Sequence, residues 1–314
     1  MRPRVRVICL PDVDRPIGGV KQLYRHVEHL TALGWDAAMV TEAADFRPSW
    51  FASIAPTLSL AQCHSSGELN AEHTLLLLPE TYLGVDLANF RGFDLSAMAR
   101  VVFNQNAYYS YGQGGDDTAL ALQRFYDDPS VLQVLSVSED THTFLQCNLG
   151  VPDGRLSRIV NAIEPIFRSD QTCSNRMHWM PRKNPREVQA VLFGLQRSGL
   201  RHSHGWQGEA LQDLSHVQVA DRLNGARLFL AFGHPEGFGL PIAEAMAAGC
   251  WVVGYSGGGG AELFRFGASE SVPFGNWPVF VAAVQRAFTA FAEQPRETAL
   301  RMKRQALAVR SLYS

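Results

Sequence analysis

Cysteine is scarce in this chain of 314 residues and never closely spaced. The set is Cys9, Cys63, Cys147, Cys173 and Cys250, with no Cys-x-x-Cys. An odd, scattered set argues against a disulfide framework and a zinc knuckle, and predicts a reducing cytoplasm. Charge is sparse as well: Asp, Glu, Lys and Arg make up 18% of the chain, and 28 basic against 30 acidic residues leave a formal net charge of −2. No global basic field exists to hold nucleic acid, so a nucleic-acid partner is not expected. Long apolar runs are missing too. The longest candidate, TLLLLP at 74–79, has strand length, far short of the ~18 residues that cross a bilayer. The opening MRPRVRVICLPDVD is broken by Arg and Pro, so it is not expected to act as a signal peptide. Arg2, Arg4 and Arg6 alternate along a first strand rather than forming a basic amphipathic helix, which leaves peripheral membrane contact open.

What is present is core. Hydrophobic residues are 46% of the chain, enough for one large or two ordinary domains. Residues 4–10 (RVRVICL) read as a buried first strand. A helix follows with Val20, Leu23, Val27, Leu30 and Leu33 on one stripe, ended by Gly34. Residues 35–41 make a second strand, so the chain opens β-α-β with a parallel sheet. Further strands are expected at 74–78, 100–104 and 134–137, then a helix capped at Ser138 and running to about Leu149. Residues 159–167 (IVNAIEPIF) read as a strand and a crossing segment. The pattern then restarts, with strands at 176–180, 227–232 and 250–255 and helices at 185–196, 241–248, 277–293 and 297–312. The expected organisation is an N-terminal Rossmann-like domain over 1–165 and a C-terminal one over 166–314. That second domain is shortened by a reduced strand-helix unit around 198–214. Two such α/β halves imply a cleft, with ligands beyond the carboxyl ends of the strands.

The densest segment is 232–262, FGHPEGFGLPIAEAMAAGCWVVGYSGGGGAE. Gly233, Gly237 and Gly239 allow close approach of a ligand to the backbone. Pro241 suits a helix start and Gly249 its end. The N–H groups of Phe238, Gly239 and Leu240 would then lie free at a helix N-terminus, a setting that favours anions and sugar oxygens. Glu236 lies before that helix and Glu244 in its first turn, and both are acceptors for ligand hydroxyls. A second glycine turn, 257–260, offers backbone N–H groups at Gly258 and Gly259 near a phosphate.

This loop resembles the Glu-x7-Glu signature of retaining GT-B glycosyltransferases of family four, with Glu236 and Glu244 as the two glutamates. Gly18-Gly19-Val20 is similar to the family's glycine turn after the first strand. Val137-Ser138-Glu139 and 159–163 resemble the segment closing its first domain, and 257–262 its glycine turn after the signature. The stretches around 104–109 and 180–183 look most like bacterial cell-surface polysaccharide enzymes, rhamnosyltransferases among them. The resemblance implies a GT-B fold, two Rossmann-like α/β domains facing across a cleft. It implies transfer of a hexosyl or deoxyhexosyl group from a nucleoside-diphosphate sugar to an acceptor hydroxyl on a glycan or glycolipid. Retention of configuration, no metal and no cofactor come with it, in the cytoplasm or at the inner face of the membrane. Glu236 would bind donor-sugar hydroxyls and Glu244 the ribose. Arg182 and Lys183 would neutralise the diphosphate as it leaves. Gly18, Gly19, His234, Gly237, Phe238, Gly239, Leu240, Gly258 and Gly259 would line the donor. Asn104, Asn106, Tyr108 and Tyr109 would face the acceptor.

Three departures stand beside the resemblance. Asn104-Gln105-Asn106 stands where many relatives carry a His, the second domain is short, and the last helix is expected to be incomplete. They keep a rival reading open, a non-catalytic or degenerate nucleotide-sugar-binding partner. An epimerase or hydrolase lacks a candidate base at the sugar. The first strand is followed by LPDVDRPIGG rather than Gly-x-Gly-x-x-Gly, against a nicotinamide dehydrogenase. Asp12-x-Asp14 reads as a turn rather than a metal site, His202 and His204 as an exposed loop, and His26 and His29 as a solvated helix face. Oligomeric state leaves no sequence signal.

Overall fold

The computed structural model describes residues 3–112, 118–199 and 205–313. The chain divides into two compact units, Met1–Ile159 and Val160–Ser314. Each is a parallel sheet clothed by helices.

In the first unit the order is β1 (Arg4–Ile8), α1 (Gly18–Ala32), β2 (Ala37–Thr41), β3 (Thr57–Ser59), α2 (Leu60–Ser66), β4 (Thr74–Pro79), β5 (Arg100–Asn104), α3 (Thr118–Tyr126), β6 (Val131–Ser136), α4 (Glu139–Leu149) and β7 (Leu156–Arg158). The strands lie β3-β2-β1-β4-β5-β6-β7. Every pairing is parallel, which requires a crossover connection between successive strands. Strand interiors such as Val7, Ile8, Leu76, Leu78 and Val102 are sealed from solvent, as near-continuous apolar strands covered on both faces should be. The apolar stripe of α1 is shorter than expected: Leu23 and Val27 are buried, but Leu33 lies beyond the last turn and is 70% exposed. Gly34 takes φ +78° there, and Trp35 N–H reaches back to the Leu30 carbonyl, closing the helix end.

The chain steps outward from β1 to β3 and then returns to the other side of β1 with β4. That reversal makes the carboxyl end of the β1–β4 seam the place where a ligand crevice belongs. Gly18 and Gly19 open α1 just after β1, and Glu80 follows β4. Residues 159–167 hold no strand, contrary to expectation. The strand is β7, and beyond it Ile163 N–H donates to the Tyr313 carbonyl at 2.6 Å, which ties this segment into the second unit.

The second unit runs β8 (Ser174–Trp179), α5 (Pro185–Arg197), β9 (Gln207–Ala210), α6 (His216–Asn224), β10 (Ala226–Ala231), α7 (Leu240–Ala247), β11 (Trp251–Gly254), β12 (Glu270–Ser271), α8 (Trp277–Glu293) and α9 (Pro295–Leu312). Its strands lie β12-β11-β10-β8-β9. Here the reversal falls between β8 and β10. Its core is built from β10 and β11 against α5 and α8, with Leu228, Leu230, Val253, Val191, Phe280 and Phe288 fully enclosed. No described helix is long and apolar enough to cross a membrane. All five cysteines are free thiols.

Glu80 is the costly residue of the first unit. It is 2% exposed, and its Oε2 accepts the Gln105 N–H at 2.9 Å. Burial outweighs the backbone hydrogen bonds from Gln105 and Asn106 and pushes its carboxyl up to about 7. The fold therefore keeps this proton at pH values where the unfolded chain has lost it, and stability falls as pH rises from the ordinary carboxylate range through 7. Glu80→Gln keeps the acceptor and removes the charge. We expect the variant's stability advantage over the parent to widen by about 2 kcal/mol between pH 5 and pH 8. Urea titrations at the two pH values measure this, and a constant gap would show that the carboxyl is not held protonated.

Candidate functional site

The switch point of the second sheet gathers two loops. One follows β8 and carries Arg182, Lys183 and Asn184. The other follows β10 and carries the segment from Gly233 to Gly239. Together they line one concavity with Met180, Phe229, Pro241 and Ile242. Within it Lys183 Nζ lies 2.8 Å from Glu236 Oε1 and donates to the Pro235 carbonyl at 3.2 Å. Arg182 lines the same concavity and is exposed, with no hydrogen bond or ion pair to any described residue.

Sequence reasoning passed over Asn184. It sits just before the start of α5 in left-handed backbone, φ +53°, and its side chain does not cap that helix. Its Nδ2 instead donates to the carbonyls of Phe232, at 2.7 Å, and His234, at 3.1 Å. The loop bearing the cations is thereby tied to the loop bearing Glu236. The signal was present in the sequence: Asn tolerates positive φ, and the following Pro185 fixes the helix entry.

The main chain of Glu236 is fixed separately. Its N–H donates to the Gly257 carbonyl at 2.7 Å, and its carbonyl accepts the Gly259 N–H at 3.0 Å. The two glycine turns run together as a short parallel bridge at Glu236 and Gly258. This changes the expected role of the second turn, because the Gly259 N–H is spent on Glu236 rather than left for a phosphate. The Gly258 N–H donates to no described residue. A Cβ on Gly259 would strike the Gly237 carbonyl, so only glycine permits this approach.

Gly239, at φ +84°, precedes the first turn of α7, and Pro241 lies within that turn. Gly237, Phe238 and Gly239 are buried. The N–H groups of Phe238, Gly239 and Leu240 donate to no described acceptor, as expected of an uncapped helix start. At the other end Gly249 N–H bonds to the Met246 carbonyl and Cys250 N–H to that of Ala245, which terminates the helix. Glu244 lies beyond the first turn, a correction to its expected place. It is 6% exposed, and its Oε1 is 3.4 Å from His216 Nε2. The His234 ring stacks on Phe274 at 4.2 Å, and both border a second hollow with Ser256 and Gly258. Glu262, ending the second glycine turn, is buried and accepts the Tyr313 hydroxyl at 2.6 Å.

The expected residues of the first unit divide between surface and interior. Gly19 lies under the Gln105 side chain, whose oxygen would come within 3.1 Å of an added Cβ. Asn104 is fully buried and donates to the Tyr126 hydroxyl at 2.7 Å, so it supports its surroundings from within and is not a surface contact. Asn106 is buried, and its side-chain oxygen accepts the Tyr108 N–H. Tyr108 donates to Asp140 Oδ2 at 2.8 Å, and burial with that carboxylate pushes its hydroxyl up to about 12. Tyr109 is 40% exposed, the most open of the four. Asp12 and Asp14 are turn residues: Asp12 accepts from Glu42 N–H and Ala43 N–H, and Asp14 from Ser49. Among the described residues no three His, Cys, Asp or Glu side chains gather as a metal site. His26 departs from the expected solvated position. Its ring packs on Phe103 at 4.7 Å, and burial pushes it down to about 4. His202 and His204 lie outside the described residues.

Residues 199–306, which include the signature loop and its glycine turns, match the family described as glycosyl transferases group 1. That match lies wholly within the second unit. Across 93 residues the chain is 29% identical to an alpha-1,6-glucosyltransferase of Actinobacillus pleuropneumoniae serotype 7. That alignment spans 26% of this chain and 28% of the relative's length. Solved structures match over the whole chain, two of them as follows. Sucrose-phosphate synthase from Thermosynechococcus elongatus aligns with a TM-score of 0.68 at 14% identity, covering 100% of this chain and 95% of that one. HepE from Anabaena, solved with UDP and glucose, aligns with a TM-score of 0.69 at 13% identity, covering 100% and 96%. These likenesses establish the fold, which is GT-B.

The Gly259 contact is testable without any substrate. Gly259→Ala is expected to lower the thermal midpoint by several degrees, because the obstructing atoms are backbone and cannot step aside. Gly154→Ala, where an added Cβ meets nothing within 4 Å, serves as the control. Equal midpoints for the two variants would mean that the glycine turns are not packed as described.

Proposed function

We propose that the chain is a retaining, metal-independent glycosyltransferase. It moves a hexosyl or deoxyhexosyl group from a nucleoside-diphosphate sugar to a hydroxyl of a glycan or glycolipid in surface polysaccharide or glycoconjugate synthesis. The observation that carries this reading is the convergence at the β8–β10 switch point. There Arg182 and Lys183, the Glu236 carboxylate and the uncommitted N–H groups of Phe238, Gly239 and Leu240 belong to two adjoining loops. Fixed cations and amides suit a diphosphate that gains negative charge as it leaves. A carboxylate beside them accepts hydrogen bonds from sugar hydroxyls.

In this reading Glu236 holds the donor sugar and Glu244 the ribose. Arg182 and Lys183 face the diphosphate, with Gly18, Gly19, His234, Gly237 and Gly258 along the donor. Tyr109 is the acceptor-side residue best exposed for contact. Similarity to the group 1 family and to a protein solved with UDP and glucose supports the donor class.

A thermal-shift panel of UDP, GDP, ADP and TDP, with and without magnesium, tests the donor. A ligand that binds only the folded protein raises the midpoint, and one nucleotide is expected to do so equally well without the metal. Midpoints unmoved by all four would sink the reading. Glu236→Ala is expected to lower transfer at least a hundredfold with the fold retained, and normal turnover by that variant would remove Glu236 from the sugar. Arg182→Ala should weaken the selected nucleoside diphosphate about tenfold by calorimetry. Unchanged affinity would take Arg182 out of the site. Nucleotide binding with no transfer to any acceptor would favour the non-catalytic partner instead.

A further inference from the structure

Glu244 is the one carboxylate in α7, whose other residues are Leu, Pro, Ile, Ala and Met. A carboxylate in such surroundings needs a fixed polar partner. The partner is His216, the first residue of α6, which is itself 7% exposed. His216 Nε2 lies 3.4 Å from Glu244 Oε1, and Nδ1 lies 3.6 Å from Glu164 Oε2. Whichever ring nitrogen carries the proton therefore faces a carboxylate. Phe167 closes another side of the ring, edge-on at 5.2 Å between centroids. The backbone beneath His216 is held as well, by a reciprocal cap between Ser215 and Gln218.

We propose that His216, backed by Glu164, is a positioning residue that sets the orientation of the Glu244 carboxylate toward the ribose hydroxyls of the donor nucleotide. The proposal rests on the reading of Glu244 as the ribose residue. It adds a specificity element drawn from outside the signature loop: the segment following the first unit and the start of α6 together hold a side chain of α7. A histidine held between two carboxylates fixes both distance and direction, whereas a solvated glutamate would have to be ordered by the ligand itself at an entropic cost.

The experiment compares UDP and ADP with their 2′,3′-dideoxy forms by calorimetry on the full chain. Against the parent, His216→Leu is expected to weaken the ribonucleotide about tenfold and leave the dideoxy form within about twofold. His216→Gln, which can still donate to Glu244, should recover most of the difference and also guards against a leucine variant that fails to fold. Loss of affinity for both forms alike would make His216 a packing residue and overturn the proposal. Glu244→Gln is measured beside them. If the parent prefers the ribonucleotide and Glu244→Gln keeps that preference, the ribose assignment of Glu244 fails and His216 loses its role with it. If Glu244→Gln abolishes the preference and His216→Leu does not, only the inference about His216 fails. Binding of neither nucleotide by the parent overturns both.

Discussion

Glu236 is held through its main chain, by the Gly257 carbonyl on one side and the Gly259 N–H on the other. Everything else at the second switch point is arranged around that pairing. Two glycine-rich turns approach closely enough for backbone to meet backbone, and the space between them leaves no room for a Cβ at Gly259. The consequence is mechanical. A carboxylate on a loop would ordinarily sample many positions, but this one starts from a backbone bonded like a strand. Asn184 extends the same constraint to the neighbouring loop by bonding two of its carbonyls. The cations and the carboxylate are therefore placed by main-chain geometry, with side-chain attraction acting on an already ordered frame.

The parts legible in the sequence were those with a strong local signal. Long strands covered on both faces announce themselves as apolar runs, and β5 and α8 fall at the expected residues 100–104 and 277–293. The signature loop was legible because glycines, a proline and two glutamates occur at spacings that only a strand-turn-helix accommodates. Elements with weak signals were missed. The edge strand β9 reads Gln-Gly-Glu-Ala and shows no alternation, because it is open to solvent. The strand β3 and helix α2 are three and seven residues long, too short for a period to register. The segment at 159–167 misled because its buried apolar residues, Ile163 and Phe167, pack without forming a strand, while Val160 is exposed.

Side-chain partners were less legible still. His216 and Glu164 lie 28 and 80 residues from Glu244, and nothing in their local sequence links them. His26 sits at helical spacing on what reads as a polar face, yet Phe103 covers it. Asn104 resembles a surface amide in sequence and is an interior one in the fold. In each case the sequence gives the residue type, and the environment that decides its chemistry comes from an element distant along the chain.

The two basic residues expected to act alike turn out to stand in different states. Lys183 already lies against Glu236 at 2.8 Å, and both are partly screened from water. Arg182 is exposed and committed to nothing among the described residues. In the proposed function an incoming diphosphate can pair with Arg182 at once, but it must compete with Glu236 for Lys183. Competition of this kind favours a ligand that offers both halves together: phosphate oxygens to draw the ammonium and sugar hydroxyls to satisfy the carboxylate it leaves. A nucleoside diphosphate alone supplies only the first half, so separating the pair on its behalf leaves a partly buried carboxylate without that partner. In the proposed function, discrimination between donor and spent nucleotide then follows from the Lys183–Glu236 pair itself, with no moving part required.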